Sequence, residues 1–338
     1  MPETGPDPST IMQLATGYWA SATLVAANEL CVFAALADGS RTATETADAC
    51  HAPARSMEML LDACAGLGLL VKETEGATAR YGCTPASAAF LVPGRPSYLG
   101  DAIRWSGDQY ALWGDLARAV RQNAPPIEPA RHLGGDPEQT RTFVLAMHNR
   151  ARGVARGVVP FLDLGDAATL LDVGGGPGTY AVLLAQKYPT LEVTVLDLPE
   201  VAAIASELIA EAGMTDRVRT RPSNAITDDY GEEVFDAILF SGVLHQMSPA
   251  TIRQMLQRAH TALIPGGRAL ISDIMLEPAK IAPPFATLFS LQMLLSSVDG
   301  AVFTAEECAA WLNAAGFADV TVQRLPPPLP YYVVTGGK

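Results

Sequence analysis

The sequence predicts an α/β protein, with a Rossmann-like parallel sheet on its C-terminal side and a mainly helical, winged-helix-like domain before it. From residue 168 onward, short apolar segments alternate with helical patterns. This alternation is typical of a parallel sheet with helices on both faces. Five apolar segments predict consecutive strands, at about 169–173, 192–196, 217–221, 235–240 and 268–274.

Two further strands are expected near the C-terminus, at about 319–325 and 331–335. The proline-rich segment 326–330 separates them, and prolines of this kind mark turns. These strands are therefore predicted to form a terminal hairpin on the sheet.

The N-terminal side shows helical spacing of its apolar residues. This spacing predicts helices over 11–36 and 56–67. Between them, Thr42 and Glu45 have the spacing of a capping box, in which each side chain accepts a hydrogen bond from the other residue's backbone. A short helix is expected to begin there.

A small hairpin should follow, with strands near 68–71 and 81–84 and a polar turn around Gly76. Helices followed by a hairpin outline a winged helix, a fold that often binds DNA. The helix over 56–67 carries two acids and no basic residue between its terminal Ser and Leu. Groove-reading helices need basic or amide side chains, so DNA binding is not expected.

Composition excludes several classes of protein. The 338 residues are 49% apolar and 17% charged, as in globular proteins with sizeable cores. The net charge of −13 argues against nucleic acids or anionic membranes as partners. Five cysteines without paired spacing predict reduced thiols in a cytoplasmic protein, and neither a signal peptide, a membrane span nor a metal motif is expected.

The most informative segment follows the first predicted strand of the sheet. Asp172 stands in the strand, and Gly174, Gly176 and Gly178 continue the pattern Asp-x-Gly-x-Gly-x-Gly into a helix predicted over 179–188. Glycines let a ligand approach the backbone closely, because no Cβ intervenes. The helix start behind them offers N–H groups and a partial positive charge.

The residues around these glycines indicate which kind of ligand the turn binds. A dinucleotide site would need a third glycine where Thr179 stands, and the Lys-Ser/Thr of a phosphate-binding loop is absent. The second strand ends in Asp197, which is placed to accept hydrogen bonds from ribose hydroxyls. Asp172 would repel a pyrophosphate but would suit a sulfonium. These features predict S-adenosyl-L-methionine as the cofactor.

Here the chain resembles the class I methyltransferases, and more narrowly the two-domain small-molecule O-methyltransferases of plant phenylpropanoid and bacterial antibiotic pathways. Five blocks in the right order carry the resemblance: LLDVGGGPGTYAVLLAQKYP, VTVLDLPEV, ILFSGVLHQMSP, LIPGGRALISDIMLEP and TAEECAAWLNAAGF. The resemblance implies a seven-stranded catalytic domain, a homodimer formed through the N-terminal domain, and an aromatic acceptor of secondary metabolism.

The expected organisation follows. We predict a flexible tail over 1–10, a winged-helix-like dimerisation domain over 11–95, a helical connector over 96–165 that contributes to the substrate pocket, and a cofactor-binding catalytic domain over 166–338.

The cofactor contacts are expected at the carboxyl ends of the strands, where ligands of such sheets bind. Asn224 stands near the place of a family aspartate that meets the adenine amine, and its carbonyl can accept the same hydrogen bond. The predicted cofactor residues are Asp172, Gly174, Gly176, Gly178, Asp197, Leu198, Asn224, Ala225 and Ser241.

His245 is the predicted general base, because the family places a histidine there in a Leu-His-Asp-Trp motif. Asp273 stands where the family has an acid that orients this ring. This chain has Gln246 and Met247 in place of the Asp-Trp pair. Methylation of carbon or nitrogen, or a cofactor-binding homologue without transfer activity, therefore stay open as alternatives.

The acceptor pocket is expected to be apolar and aromatic. Methionine and aromatic side chains suit a flat aromatic acceptor, and an apolar helix over 285–295 is predicted above the site. The predicted pocket residues are Trp105, Met147, His148, Met247, Phe289 and Met293.

Overall fold

The computed structural model describes residues 7–75, 78–327 and 329–338. The first six residues of the expected tail, the turn around Gly76 and Pro328 of the proline-rich segment lie outside the described residues. The chain divides into two compact units, Met1–Gln109 and Tyr110–Lys338.

The N-terminal unit is mainly helical, with a two-stranded antiparallel hairpin. Its helices are α1 (Ser9–Thr16), α2 (Tyr18–Glu29), α3 (Val32–Ala35), α4 (Ala43–Ala49), α5 (Ala54–Gly66), α6 (Pro85–Phe90) and α7 (Gly100–Asp108). The hairpin consists of β1 (Leu70–Glu75) and β2 (Thr78–Cys83), with Leu70 opposite Cys83.

The predicted capping box is confirmed. The Glu45 backbone N–H donates to Thr42 Oγ1 at 3.1 Å, and the Thr42 N–H donates to Glu45 Oε2 at 2.7 Å. The prediction of one helix over 11–36 is wrong, because the segment forms α1, α2 and α3. Cys31 adopts a left-handed conformation with φ 58°, which an α-helix cannot contain, and so it separates the last two.

The C-terminal unit contains the seven-stranded sheet. Its strands are β3 (Thr169–Val173), β4 (Glu192–Asp197), β5 (Val218–Pro222), β6 (Phe235–Ser241), β7 (Leu263–Ile274), β8 (Ala318–Arg324) and β9 (Tyr331–Gly337). Their order is β5-β4-β3-β6-β7-β9-β8. The first five are parallel, whereas β9 is antiparallel to both of its neighbours, so the expected terminal hairpin is confirmed.

Helices pack on both faces of this sheet. The helices of this unit are α8 (Tyr110–Gly114), α9 (Leu116–Gln122), α10 (Pro137–Val158), α11 (Thr179–Lys187), α12 (Pro199–Glu211), α13 (Pro249–Ala262), α14 (Pro284–Ser296) and α15 (Ala305–Ala314). Of these, α10, α11 and α12 pack on one face of the sheet and α13 and α15 on the other. Short 3₁₀ helices lie at Pro129–His132, Val159–Phe161 and Leu244–Gln246. None of the helices in the described ranges combines the length and the apolar content that crossing a bilayer requires.

Alternating strand residues build the two cores. Leu170 packs into a cluster with residues of α10, α11 and α12, and Leu171 packs into another with residues of α13 and α15. Neighbouring residues of a strand point to opposite faces, so one short apolar strand serves both layers. The strand ends of β3, β4, β6 and β7 thereby lie between helices packed on both faces of the sheet.

Candidate active site

The glycine turn after β3 has the backbone conformation that its sequence requires. Gly174, Gly176 and Gly178 have φ values of 64°, 54° and 72°, which disfavour any residue with a Cβ. A Cβ at Gly174 would lie 2.5 Å from Val243 Cγ2, whereas at Gly176 no other atom of the part of the chain that the structure describes lies within 4 Å of the position a Cβ would take. The turn is therefore packed underneath at Gly174 and open to a ligand at Gly176.

Asp197 ties the end of β4 to this turn. Its Oδ2 accepts from the Gly176 N–H at 2.8 Å, and its Oδ1 accepts from the Leu198 N–H at 2.8 Å. Burial raises the pKa of this carboxyl, against the effect of the two hydrogen bonds. Each carboxylate oxygen retains a further lone pair, which suits the two hydroxyls of a ribose.

Asp172 is the most unusual group of the site. It is 0% exposed, and among the described residues neither carboxylate oxygen has a hydrogen-bond partner. Burial, with a smaller contribution from the charge of Asp197, raises the pKa of Asp172 to about 7. A Cβ at Gly175 would lie 2.6 Å from Asp172 Oδ2, so the carboxyl lies directly under the glycine turn.

These observations show that the site suits S-adenosylmethionine. A buried carboxylate without a partner is stabilised by a nearby positive charge, which a sulfonium supplies and a phosphate does not. Because both oxygens are sealed from solvent, the carboxylate would act on a ligand through the glycine turn by its charge, without direct contact.

The loop after β5 contains Asn224 and is folded by its own side chains. Asn224 Oδ1 accepts from the Ile226 N–H at 2.9 Å, which leaves the second lone pair of that carbonyl for a ligand. Asp228 Oδ2 accepts from Ser223 Oγ at 2.7 Å and from the Asn224 N–H at 2.9 Å. These bonds lower the pKa of Asp228, which therefore holds the loop as a carboxylate.

Tyr230 is hydrogen-bonded to the same loop. Its side chain is buried, and its hydroxyl donates to the Ala225 carbonyl at 2.6 Å. Sequence reasoning missed both Tyr230 and Asp228, because neither stands in a recognisable motif. Their roles depend on a loop conformation that only the structure reveals.

His245 and Asp273 form a buried pair. His245 Nδ1 lies 2.8 Å and 3.0 Å from the two carboxylate oxygens of Asp273, and the two residues are 9% and 5% exposed. Asp273 Oδ1 also accepts from the Ile274 N–H at 2.8 Å, which fixes the carboxylate. In the neutral ring the Nδ1 proton is donated to the carboxylate, so Nε2 carries the lone pair that can accept a proton.

The backbone and ring of His245 are held by the α14 region. The Ala301 N–H donates to the His245 carbonyl at 2.9 Å. A Cβ at Gly300 would lie 2.7 Å from that oxygen, so glycine permits this close approach. The Phe289 ring meets the imidazole edge-on, with centroids 4.9 Å apart at 77°.

The other predicted pocket residues are distributed over several elements. Met247 ends the 3₁₀ turn that carries His245, and Met293 is buried one turn after Phe289 on α14. Met147 and His148 are half-buried on α10, where His148 Nδ1 lies 2.9 Å from Thr179 Oγ1 at the start of α11. Trp105 belongs to α7 of the N-terminal unit.

Ser241 ends β6 beside the glycine turn. It is in register with Ser272 of β7, the residue that precedes Asp273.

The fold and the site define a class: this is an S-adenosylmethionine-dependent methyltransferase. Residues 98–318 match the O-methyltransferase domain family, and residues 12–93 match the O-methyltransferase dimerisation domain. The chain therefore belongs to the O-methyltransferase family, and its N-terminal part is the dimerisation domain of that family.

Individual relatives are similar to this chain over nearly its whole length. The 3-hydroxy-5-methyl-1-naphthoate 3-O-methyltransferase of Streptomyces sahachiroi is 36% identical over 98% of this chain and 95% of that protein. The tetracenomycin polyketide synthesis 8-O-methyl transferase TcmO of Streptomyces glaucescens is 31% identical, over 93% of this chain and 92% of its own. The crystal structure of human N-acetylserotonin methyltransferase in complex with S-adenosylmethionine superposes with a TM-score of 0.91 at 27% identity, over 100% of this chain and 99% of that one.

Proposed function

We propose that this enzyme methylates a hydroxyl of an aromatic small molecule of secondary metabolism, with His245 as the general base and Asp273 as the residue that orients it. The observation that carries the proposal is the buried His245–Asp273 pair, with Nδ1 held 2.8 Å from the carboxylate. The naphthoate and tetracenomycin enzymes support an aromatic acceptor, because their names give aromatic or polyketide substrates.

Cofactor binding is assigned to the edge of the sheet. Asp197 would bind the ribose, Asn224 the adenine amine, and Asp172 would favour the positive sulfur through its charge. The remaining proposed contacts are Gly174, Gly176, Gly178, Leu198, Ala225 and Ser241.

The bound cofactor supplies a methyl group that its sulfonium already activates, so the protein has three tasks: to align the groups, exclude water and accept a proton. His245 Nε2 would accept the proton that the acceptor hydroxyl loses as the methyl group supplied by the cofactor passes from sulfur to that oxygen. Asp273 stabilises the resulting imidazolium through Nδ1. The proton then passes from Nε2 to solvent, which restores the base.

Proton transfer during the attack is favoured over full deprotonation of the acceptor beforehand. An ordinary imidazole titrates near ~6.5 and a phenol near ~10, so full deprotonation before attack would cost roughly 5 kcal/mol. Transfer during attack costs less, because the developing negative charge is neutralised by the methyl donor. A positioned base of this kind contributes about 10²–10⁴-fold to the rate.

The acceptor would lie against Phe289, Met293 and Met247, with Met147 and His148 of the helical connector as further contacts. The Phe289 ring beside His245 supports an aromatic acceptor, because it offers an apolar face next to the proposed base.

One observation favours a second candidate, transfer to carbon or nitrogen. Gln246 and Met247 replace the Asp-Trp pair of the resembled motif, which changes the shape of the pocket around the base. A carbon acid beside a phenol could also lose its proton to His245. A homologue without transfer activity is disfavoured by the intact His245–Asp273 pair.

We also infer a cytoplasmic homodimer. The dimerisation domain exposes large apolar side chains on its first two helices, with Ile11, Leu14 and Trp19 at 70%, 77% and 60% exposed. Burial of such side chains against a second copy would remove them from water. The described cysteines are all free thiols, as expected in a reducing compartment.

The test uses the cofactor labelled with ¹³C in its methyl group. The purified enzyme is incubated with panels of phenols, naphthols, aromatic amines and activated carbon acids, and the product carbon is located by NMR. The proposal expects a methoxy signal from a phenol or naphthol. Labelled N-methyl or C-methyl products alone would favour the second candidate, and no product from any panel would favour the inactive homologue.

A further inference from the structure

The segment that follows α14, residues 297–303, forms a turn that the side chain of Ser297 shapes. Ser297 is buried and comes directly after the last residue of α14. Its hydroxyl donates to the Met293 carbonyl at 2.7 Å and accepts from the Gly300 N–H at 3.1 Å. A Cβ at Gly300 would overlap Ser297 Oγ, so glycine permits this close approach. One hydroxyl therefore joins the end of the helix to the far side of the turn.

The turn contacts the proposed base one residue further on. The Ala301 N–H donates to the His245 carbonyl at 2.9 Å, and a Cβ at Gly300 would lie 2.7 Å from the same oxygen. The Val302 N–H donates to Ser290 Oγ at 3.3 Å, which returns the segment to α14. The turn is thus bonded to α14 on both sides of Ala301, the residue that holds the backbone of the base.

The helix α14 contacts the ring of His245 as well. Phe289 of this helix meets the imidazole edge-on, with the two centroids 4.9 Å apart. Met293, whose carbonyl accepts from Ser297, is a proposed acceptor contact on the same helix. A shift of α14 relative to the turn would move the ring contact and the backbone contact of His245 apart. The Ser297 hydroxyl opposes such a shift, because it is bonded to both the helix and the turn.

We propose that Ser297 is a positioning residue for methyl transfer: its two hydrogen bonds hold the turn in the shape in which the Ala301 N–H fixes His245, so that Nε2 faces an acceptor lying on α14. This inference rests on the function proposed above. It assigns the contribution of Ser297 to the placement of the base relative to the acceptor, and small misplacements of reacting groups slow a reaction strongly. Ser297 lies outside the proposed cofactor contacts, so cofactor affinity should not depend on it.

The experiment compares Ser297→Ala with the matched variant Ser296→Ala, each assayed below its melting temperature. The Ser296 hydroxyl donates to the Gln292 carbonyl at 2.8 Å, which is the same bond to the fourth preceding residue that Ser297 makes. For Ser297→Ala we expect kcat to fall roughly tenfold, with the Kd for S-adenosylmethionine within about threefold of wild type. Ser296→Ala should retain the wild-type kcat. Equal losses in the two variants, or a wild-type kcat in Ser297→Ala, would overturn the proposal.

The same substitution in a His245→Ala background gives a readout that a purely structural role would not produce. If Ser297 acts through His245, Ser297→Ala should not slow the residual transfer of His245→Ala any further, because the base that it positions is gone. A further fall as large as the one in the wild-type background would show that Ser297 acts by another route, and would overturn the proposal.

Ser290→Ala keeps the proposal testable if Ser297→Ala does not fold. The Ser290 side chain is half-buried and accepts from Val302 on the other side of the turn. Its loss should lower kcat about threefold, because the turn is released from α14 at that side. A wild-type kcat in a folded Ser290→Ala would then overturn the proposal.

His245→Ala alone separates this proposal from the one it rests on. An inactive His245→Ala together with a fully active Ser297→Ala would reject only the role of Ser297. A fully active His245→Ala would reject the proposed base, whatever the result for Ser297.

Discussion

Nδ1 of His245 lies 2.8 Å from Oδ1 of Asp273, although the two residues are 28 positions apart and belong to a 3₁₀ turn and a strand. The parallel pairing of β6 and β7 brings them together, because the turn after β6 and the end of β7 lie at the same edge of the sheet. Since the pair is buried, the carboxylate can fix both the orientation and the tautomer of the ring.

The first prediction concerns this tautomer. Asp273→Asn keeps the shape of the side chain but can donate to Nδ1, which would place the ring proton on Nε2 and block the proposed base. We expect kcat to fall roughly 10²-fold or more, with the Kd for the cofactor nearly unchanged. Steady-state kinetics and calorimetry measure the two quantities. A kcat within threefold of wild type would show that the carboxylate does not support the base.

The second prediction concerns the ribose. Both Asp197 oxygens already accept backbone hydrogen bonds, so Asp197→Asn disturbs the glycine turn. The same substitution removes the proposed charge-assisted hydrogen bonds to the ribose. The Kd for S-adenosylmethionine should rise about 10–100-fold, which calorimetry can measure. Asp216→Asn, at an exposed position, removes the same charge and should leave the Kd unchanged. Equal effects of both variants would contradict a local contact.

The third prediction concerns Asp172 and stability. Its pKa in the folded protein is about 7, above the ordinary 3.8, so the protonated form is the one that the fold favours. This contribution to stability is full below pH 3.8, declines as the pH rises, and is lost once the pH has passed about 7. Relative to Asp172→Asn, which does not ionise, the wild-type protein without cofactor should lose on the order of 2 kcal/mol between pH 5 and pH 8.

Urea unfolding of both proteins at the two pH values measures this difference, and the comparison cancels the titration of groups that they share. A stability difference that is independent of pH would mean that Asp172 is ionised in the fold, with a counter-charge or water that stabilises it.

Much of the sheet and of the site could be predicted from sequence. Asp172 and Asp197 each stand at or near the end of a short apolar strand, and all parallel strands end at one edge, so their meeting at the glycine turn followed from topology. The His245–Asp273 pair was expected from a family resemblance, and the structure brings its two side chains together.

The remaining features depend on tertiary context. Nothing in the apolar pattern over 11–36 marks Cys31 as the left-handed residue that ends α2, because neither glycine nor proline stands there. Tyr230 has an aromatic side chain that pattern reasoning assigns to the core. Its hydroxyl acquires a role only because the fold places the Ala225 carbonyl within reach.

The most direct test of the proposed mechanism is a single-turnover measurement of methyl transfer by His245→Ala, with cofactor saturating and the acceptor identified in the labelling experiment. The account predicts a rate at least about 10²-fold below wild type, with the Kd for S-adenosylmethionine nearly unchanged, because His245 accepts a proton and does not hold the cofactor. A wild-type rate of transfer in this variant would show that His245 is not the general base.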